Sequence, residues 1–261
     1  MNHYPQAPQS IGKVLDSGFS MYRAVLKPIL PLSFAVGVVA QLPQLVPYMV
    51  GSTDPAAMMG VGVFAAFCVW FVVYIALYNG WLLSMDALAR GGAALDFGSA
   101  IAAGAPKILR VIGAMLLFML AITIGTVLLV IPGLILMVTL FFFWYLVVLE
   151  NKGAIESLKA SHQLVWGGNW WRTVAVITVG GVIYFVAILL TVGLVGVVIG
   201  ISAMGGPTPE QAAQGLGAGP LVIFALQALL TALLLPMWNS LVLVLLRDLQ
   251  LRKAAAPAGS S

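Results

Sequence analysis

The sequence predicts an all-α, polytopic membrane protein. It is read as a single domain of six transmembrane helices over residues 1–253, with amphipathic helices on the cytoplasmic side and a short disordered tail at 254–261. Three observations predict it. Of 261 residues, 62% are hydrophobic and 8% are charged, against about 25% charged in soluble domains. Six apolar stretches are long enough to cross a hydrocarbon core about 30 Å thick. All 12 lysines and arginines lie between alternate stretches, on one side. The mean hydropathy of +1.08 agrees. With 8 acidic residues beside the 12 basic ones, there is too little charge to clothe a soluble fold of this length. A soluble enzyme and a disordered chain are excluded.

Residues Met1–Gln9 are expected to be disordered. Ser10–Lys27 then places Ile11, Val14, Leu15, Gly18, Tyr22 and Val25 on one face and Lys13, Asp16, Ser20, Arg23 and Lys27 on the other. That pattern predicts an interfacial helix with Ser10 as its N-cap. The first two spans are read as Ile29–Val50 and Val61–Ser84. The third, Val111–Ile131, and the fourth, Leu134–Leu149, form one apolar block too long for a single crossing at about 1.5 Å per residue. Pro132-Gly133 is therefore read as the turn of a hairpin. The fifth and sixth spans are Thr173–Ile201 and Leu221–Leu246, joined by an irregular loop, Met204–Gly219. No signal-peptide cleavage pattern precedes the first span, so targeting is expected to rest on the spans.

Charge sets the orientation. Lys13, Arg23 and Lys27 precede span one; Arg90, Lys107 and Arg110 separate spans two and three. Lys152, Lys159 and Arg172 separate four and five; Arg247, Arg252 and Lys253 follow six. The opposite loops hold only Asp54 and Glu210. The positive-inside rule therefore predicts a multi-pass protein of the bacterial inner membrane with both termini cytoplasmic. The pI of about 9.3 has the same origin. No basic run interleaved with aromatics is present, so nucleic acid is not an expected partner.

The segments on the basic side resemble one another. Phe97, Ile101, Gly104 and Ile108 repeat the spacing of Ile11, Leu15, Gly18 and Tyr22, and Ala154, Leu158, Ser161 and Val165 repeat it again. Asp86–Arg90 follows span two as Asp248–Arg252 follows span six, with Glu150-Asn151-Lys152 at the equivalent place after span four. The chain reads as three parallel units, 10–90, 95–153 and 154–253, each an interfacial helix followed by a transmembrane hairpin.

The run Trp166-Gly-Gly-Asn169-Trp170-Trp171-Arg172 joins the third amphipathic helix to span five. Its glycines can end one helix and Asn169 can cap the next. The tryptophans suit the headgroup level. Trp166, Asn169, Trp170, Trp171 and Arg172 are the candidate membrane-interface or lipid-contact residues.

Val130-Ile-Pro-Gly133, the stretch Val148–Ser161 and Gly168-Asn-Trp-Trp171 resemble the uncharacterised YciC-like inner-membrane proteins of bacteria. They are also similar to the membrane domain attached to some glycerophosphodiester phosphodiesterases. The resemblance covers roughly Leu95–Thr178, and the N-terminal unit more loosely. It implies a six-span inner-membrane protein of unknown function and brings no catalytic residues. No soluble phosphodiesterase domain is present, so that activity does not carry over.

Ionisable residues are absent from the middle of every span by these boundaries, where coupled carriers usually place one. Polar residues there include Gln41, Gln44, Asn79, Gln227 and Asn239, the candidates to line a cavity; helix–helix hydrogen bonds are their ordinary use. His3, His162 and Cys68 are too few and too scattered for a metal site, and no cofactor is expected. There is no phosphate-binding Gly-Lys-Ser/Thr loop, no His-Glu-x-x-His, no Gly-x-Ser-x-Gly and no intramembrane carboxylate pair. The leading expectation is a non-catalytic inner-membrane protein with an accessory or protein/lipid-interaction role. Its expected partners are membrane lipids and a membrane protein or a second copy. The alternative is a passive channel or permease for a small or amphiphilic solute. A lipid-modifying enzyme ranks third, for want of a buried acid/base pair.

Overall fold

A computed structural model describes residues 2–46, 60–166, 168–203 and 218–255. Its first helix, α1, spans Ile11–Gln41 and passes into a 3-10 turn, Leu42–Leu45. The Ser10 side chain accepts from the Lys13 N–H, as expected of the cap. The expected separate helix at Ser10–Lys27 is corrected, because it is the first half of this single 31-residue element. Val14, Gly18, Met21, Val25, Ile29, Leu32 and Val36 form an unbroken buried stripe. Pro28 and Pro31 remove two internal hydrogen bonds, but the stripe keeps helical spacing through both and holds the helix together.

That stripe packs along α9, Ala218–Ala255, a helix of 38 residues that reaches about 57 Å at 1.5 Å per residue. Gly18 lies against Leu241 and Gly37 against Ala228, so the two helices run antiparallel. Pro236 sits inside α9.

Between them, α2 spans Val61–Ala89, α3 Phe97–Gly104 and α4 Ile108–Leu128. The Asp96 carboxylate caps α3, accepting from the Ser99 N–H at 3.0 Å and the Ser99 hydroxyl at 2.6 Å. Helix α3 then doubles back along α2. The Leu95 N–H donates to Ser84 Oγ at 2.9 Å, and Gly80 and Gly104 meet lower down. A Cβ on Gly80 would collide with the Ala100 carbonyl, and one on Gly104 with the Ala76 carbonyl. Only glycine lets the two backbones come this close.

The hairpin turn is also corrected. Helix α4 ends at Leu128, and α5, Val130–Thr139, starts two residues later, with Leu129 alone in extended conformation between them. Pro132 lies in the first turn of α5, where its missing N–H costs no internal bond and its fixed φ favours the helix. Gly133 lies tight against Thr126, inside the hairpin rather than at its tip.

Helix α5 is separated from α6, Phe143–Leu149, by a break that Ser161 repairs. Its hydroxyl donates to the Thr139 carbonyl at 2.8 Å and accepts from the Phe142 N–H at 3.1 Å. Ser161 belongs to α7, Ala154–Trp166, which doubles back along α6 as α3 does along α2. The last span is α8, Trp170–Ala203. Helices α3 and α7 are the second and third of the short helices expected on the basic side. Each is zipped to the preceding helix.

Among the described residues, six stretches are long and apolar enough to cross a membrane: Ile11–Leu45, Val61–Ala89, Phe97–Leu128, Val130–Leu149, Trp170–Leu190 and Leu221–Ala255. Burial divides them. Ile75–Ala89 of α2, most of α6 and Met237–Leu249 of α9 form the core with Met21, Val25, Trp81 and Phe142. The first half of α2, most of α4, the α4–α5 turn and α8 instead expose Val61, Phe64, Leu116, Leu128, Phe185 and Leu190. Such surfaces suit lipid, not water. The expected loop Met204–Gly219 and tail 254–261 fall largely outside the described residues, although α9 itself runs on to Ala255.

Candidate functional site

Charged groups gather at the core end of the bundle. The segment before α1, expected to be disordered, is docked there. The His3 N–H donates to the Ala89 carbonyl at 2.7 Å. The Tyr4 hydroxyl donates to Asp86 Oδ1 and Arg90 Nε to Asp86 Oδ2, both at 2.8 Å. The Arg90 guanidinium also stands 5.7 Å from the Tyr4 ring centre. Burial, then the adjacent Asp86 charge and its hydrogen bond, raise the Tyr4 phenol well above its ordinary range, so it stays a donor.

The second anchor is Gln9. Its N–H donates to Asp248 Oδ1 at 2.6 Å. Arg172 Nε and Arg252 Nε each donate to Asp248 Oδ2 at 2.9 Å. Both guanidinium groups also donate to the Gln9 carbonyl, Arg252 at 2.6 Å. Asp248 is fully buried. One carboxylate thus joins the segment before α1, the start of α8 and the end of α9. Asp86–Arg90 and Asp248–Arg252 are both i,i+4 ion pairs, and both hold the N-terminal segment. The equivalent acid, Glu150, takes an ion pair from Lys152 at 3.3 Å and a hydrogen bond from Gln250 at 2.5 Å. The i,i+4 spacing was legible; Arg172 and Gln9 as partners were not.

The candidates in the Trp166–Arg172 run divide. Trp166 and Trp171 are exposed, by 56% and 77%. His162 stacks on Trp166, ring centres 5.5 Å apart. Trp170 packs edge-on to Trp171 at 4.5 Å and turns its indole N–H inward, where it is buried without a partner among the described residues. Arg172 turns inward to Asp248, not outward to lipid, because the buried carboxylate is its stronger partner. Asn169 precedes α8, but its side chain donates backward to the Leu164 carbonyl at 3.2 Å, closing α7. Gly168, at φ +86°, supplies the left-handed turn between them.

The five cavity candidates form two groups. Asn79 and Asn239 are fully buried in one aromatic network. Trp144 donates to Asn79 Oδ1 at 3.0 Å, and Asn79 Nδ2 to the Gly104 carbonyl at 3.4 Å. Tyr145 and Tyr78 donate to Asn239 Oδ1 at 2.8 and 3.3 Å, and Asn239 Nδ2 to the Leu235 carbonyl at 2.9 Å. Tyr78 and Trp144 meet edge to face at 5.5 Å, joining the two amides. Gln41 belongs elsewhere, donating to Thr231 Oγ1 at 3.4 Å, while Thr231 donates to the Gln227 carbonyl at 2.9 Å. Gln44 reaches Gln41. Gln227 Oε1 is buried without a partner among the described residues. Among those residues, no group of three or more His, Cys, Asp or Glu is placed to hold a metal.

The profile of a domain of unknown function (DUF7847) matches residues 80–238. A UPF0259 membrane protein of Pectobacterium carotovorum is 35% identical over 135 residues, covering 52% of this chain and 51% of that protein. The chain thus spans about half the length of the relative it matches. No solved structure matches.

Proposed function

The chain belongs to the DUF7847 family, a membrane protein of an uncharacterised family, and from that premise we propose a non-catalytic accessory role. In this reading it sits in the bacterial inner membrane with both termini cytoplasmic and engages lipid or another membrane protein. The observation that carries the reading is the state of the mid-bundle amides. Asn79 and Asn239 are buried and bonded to indole and phenol donors, so they brace helices instead of lining a path. The gathering of basic residues at one end supports the orientation. Exposed Trp166 and Trp171 supply headgroup contacts, and the apolar outer faces offer room for a membrane partner or a second copy.

The same proposal includes kinship with the YciC-like proteins and the three-unit organisation. Its support is a geometry that recurs. Gly18, Gly104 and Ser161, in register by spacing, each meet the closing stretch of a long apolar helix: α9 at Leu241, α2 at Ala76–Gly80, and the α5–α6 junction at Thr139 and Phe142.

A passive permease is the second reading, favoured by Gln227 Oε1, which is buried and unpartnered beside the Gln41–Thr231 pair. Stopped-flow shrinkage of liposomes in glycerol, urea and ribitol separates the two. The accessory role predicts the permeability of protein-free liposomes. A solute-selective rate that disappears in Gln41→Ala or Gln227→Ala would replace it with the permease. Reporter fusions after Gly60 and at Ser261 test orientation, with the first expected outside and the second inside.

A further inference from the structure

A cleft of about 480 Å³ opens at the core end of the bundle, between the ends of α2, α6 and α9, with Asn2 and Tyr4 over it. Its apolar part is Leu149, Leu243 and Leu246, and its charged groups are Asp86, Arg90, Glu150 and Arg247. The volume falls in the range of small-ligand sites, about 300–1,000 Å³.

Three of those charges are already matched. Asp86 is held by Arg90 and Tyr4, each at 2.8 Å. Glu150 is held by Lys152 at 3.3 Å and by Gln250 at 2.5 Å. Arg247 is half-buried against the cleft and makes no ion pair or side-chain hydrogen bond among the described residues. A guanidinium carries five donors in a planar fork that fits a carboxylate or phosphate with two parallel bonds. A guanidinium half-buried in a cleft without a protein acceptor has donors left for an anion to take up.

We propose that the cleft is a binding site for one anionic oxygen group, a phosphate or carboxylate, held by the Arg247 guanidinium. The leucines receive the carbon skeleton attached to that group. The matched acids on either side disfavour a polyanion, because each further negative charge would face Asp86 or Glu150. The same chemistry comes from an anionic lipid headgroup or a free small anion. The inference goes beyond the accessory role and stands apart from its test, since liposome flux reads Gln41 and Gln227 and binding reads Arg247.

The test uses the full chain in detergent. It combines calorimetric titration with sodium phosphate and native mass spectrometry with dioctanoyl-phosphatidylglycerol against dioctanoyl-phosphatidylcholine. At least one anionic probe is expected to bind, and Arg247→Gln to weaken it at least tenfold. Arg23→Gln, on the exposed face of α1, is expected to bind as the parent does. Binding of phosphatidylglycerol without phosphate identifies a lipid headgroup; binding of phosphate as well identifies a free anion. Ala254→Trp, which fills the cleft from its rim without removing a charge, should cause the same loss and decides the matter if Arg247→Gln is not monodisperse. The proposal is overturned if neither anionic probe binds, if binding survives Ala254→Trp, or if phosphatidylcholine binds as well as phosphatidylglycerol.

Discussion

Arg172 at the start of α8 and Asp248 near the end of α9 meet at 2.9 Å, with the carboxylate fully buried. Removing one partner of a buried pair leaves a charge without compensation, at about 3–5 kcal/mol. Asp248→Ala leaves two arginines and the Gln9 N–H facing each other and is expected to cost in that range. Arg172→Ala is expected to cost less, because Arg252 still donates to the same oxygen. Thermal unfolding in detergent ranks the two variants. Equal stability of Asp248→Ala and the parent would refute the role of this pair.

The docked Tyr4 gives a pH signature. A group whose folded pKa is raised contributes stability that is full below its unfolded value and fades as pH climbs through the folded one. For this phenol the window opens above its ordinary value of 10.0 and extends further into alkali. Amide exchange of the N-terminal segment is therefore expected to be insensitive to pH near neutrality, after correction for the intrinsic rate. Tyr4→Phe loses a hydrogen bond to a charged acceptor, worth about 1.5–3 kcal/mol, and is expected to release the segment at neutral pH.

The Asp96 cap works in the opposite sense. Its carboxyl is held below its ordinary value of 3.8 by the Ser99 hydroxyl first and then by backbone N–H groups. Its contribution is present above 3.8 and lost as pH falls through the lowered value. Exchange at the Ser99 amide should rise in that acid window and be raised at every pH in Asp96→Ala. An unchanged Ser99 amide in that variant would rule the cap out.

Backbone contact between α2 and α3 can be tested by adding one methyl group. Gly80→Ala and Gly104→Ala drive a Cβ into a carbonyl and are expected to destabilise by about 1–3 kcal/mol or more. Gly62→Ala, on the same α2 but with nothing within 4 Å, should be neutral or stabilising by up to about 1 kcal/mol through helix propensity. Similar melting temperatures for all three would mean the helices do not touch there.

Asn239→Leu leaves the hydroxyls of Tyr78 and Tyr145 without their shared acceptor. Each stranded buried donor costs about 1–3 kcal/mol. The near-ultraviolet circular dichroism of the aromatic network is expected to change with the melting temperature. A stable variant with an unchanged spectrum would show that the amide braces nothing.

How far each feature could be read ahead depends on the range of the interaction behind it. Six apolar stretches and one-sided basic residues are local patterns, so the spans were legible. The continuity of α1 was not, because the change from an amphipathic to an apolar pattern after Lys27 read as a boundary until the partner helix is seen to hold one stripe along both halves. Pro132-Gly133 misled in the same way, since a proline marks a helix start as readily as a turn. Within the candidate sites, the pairing of Asp248 with Arg252 four residues on is visible in the chain. Its bonds to Arg172 and Gln9 span 76 and 239 residues, and nothing local announces them. Asn79 and Asn239 stood out as polar groups in apolar helices, but their donors came from α2 and α6.

The turn between α4 and α5 exposes Val127, Leu128, Leu129, Val130 and Ile131 by 64–80%, with no polar side chain to hold it at the far surface. At its other end, Lys107 and Arg110 reach Asn151. The hairpin is moored at one end only. In a thick bilayer its tip stays submerged; in a thin one it presses toward the far headgroups and must tilt, at a fraction of a kcal/mol for each ångström of mismatch. Its inclination thereby becomes a gauge of local membrane thickness.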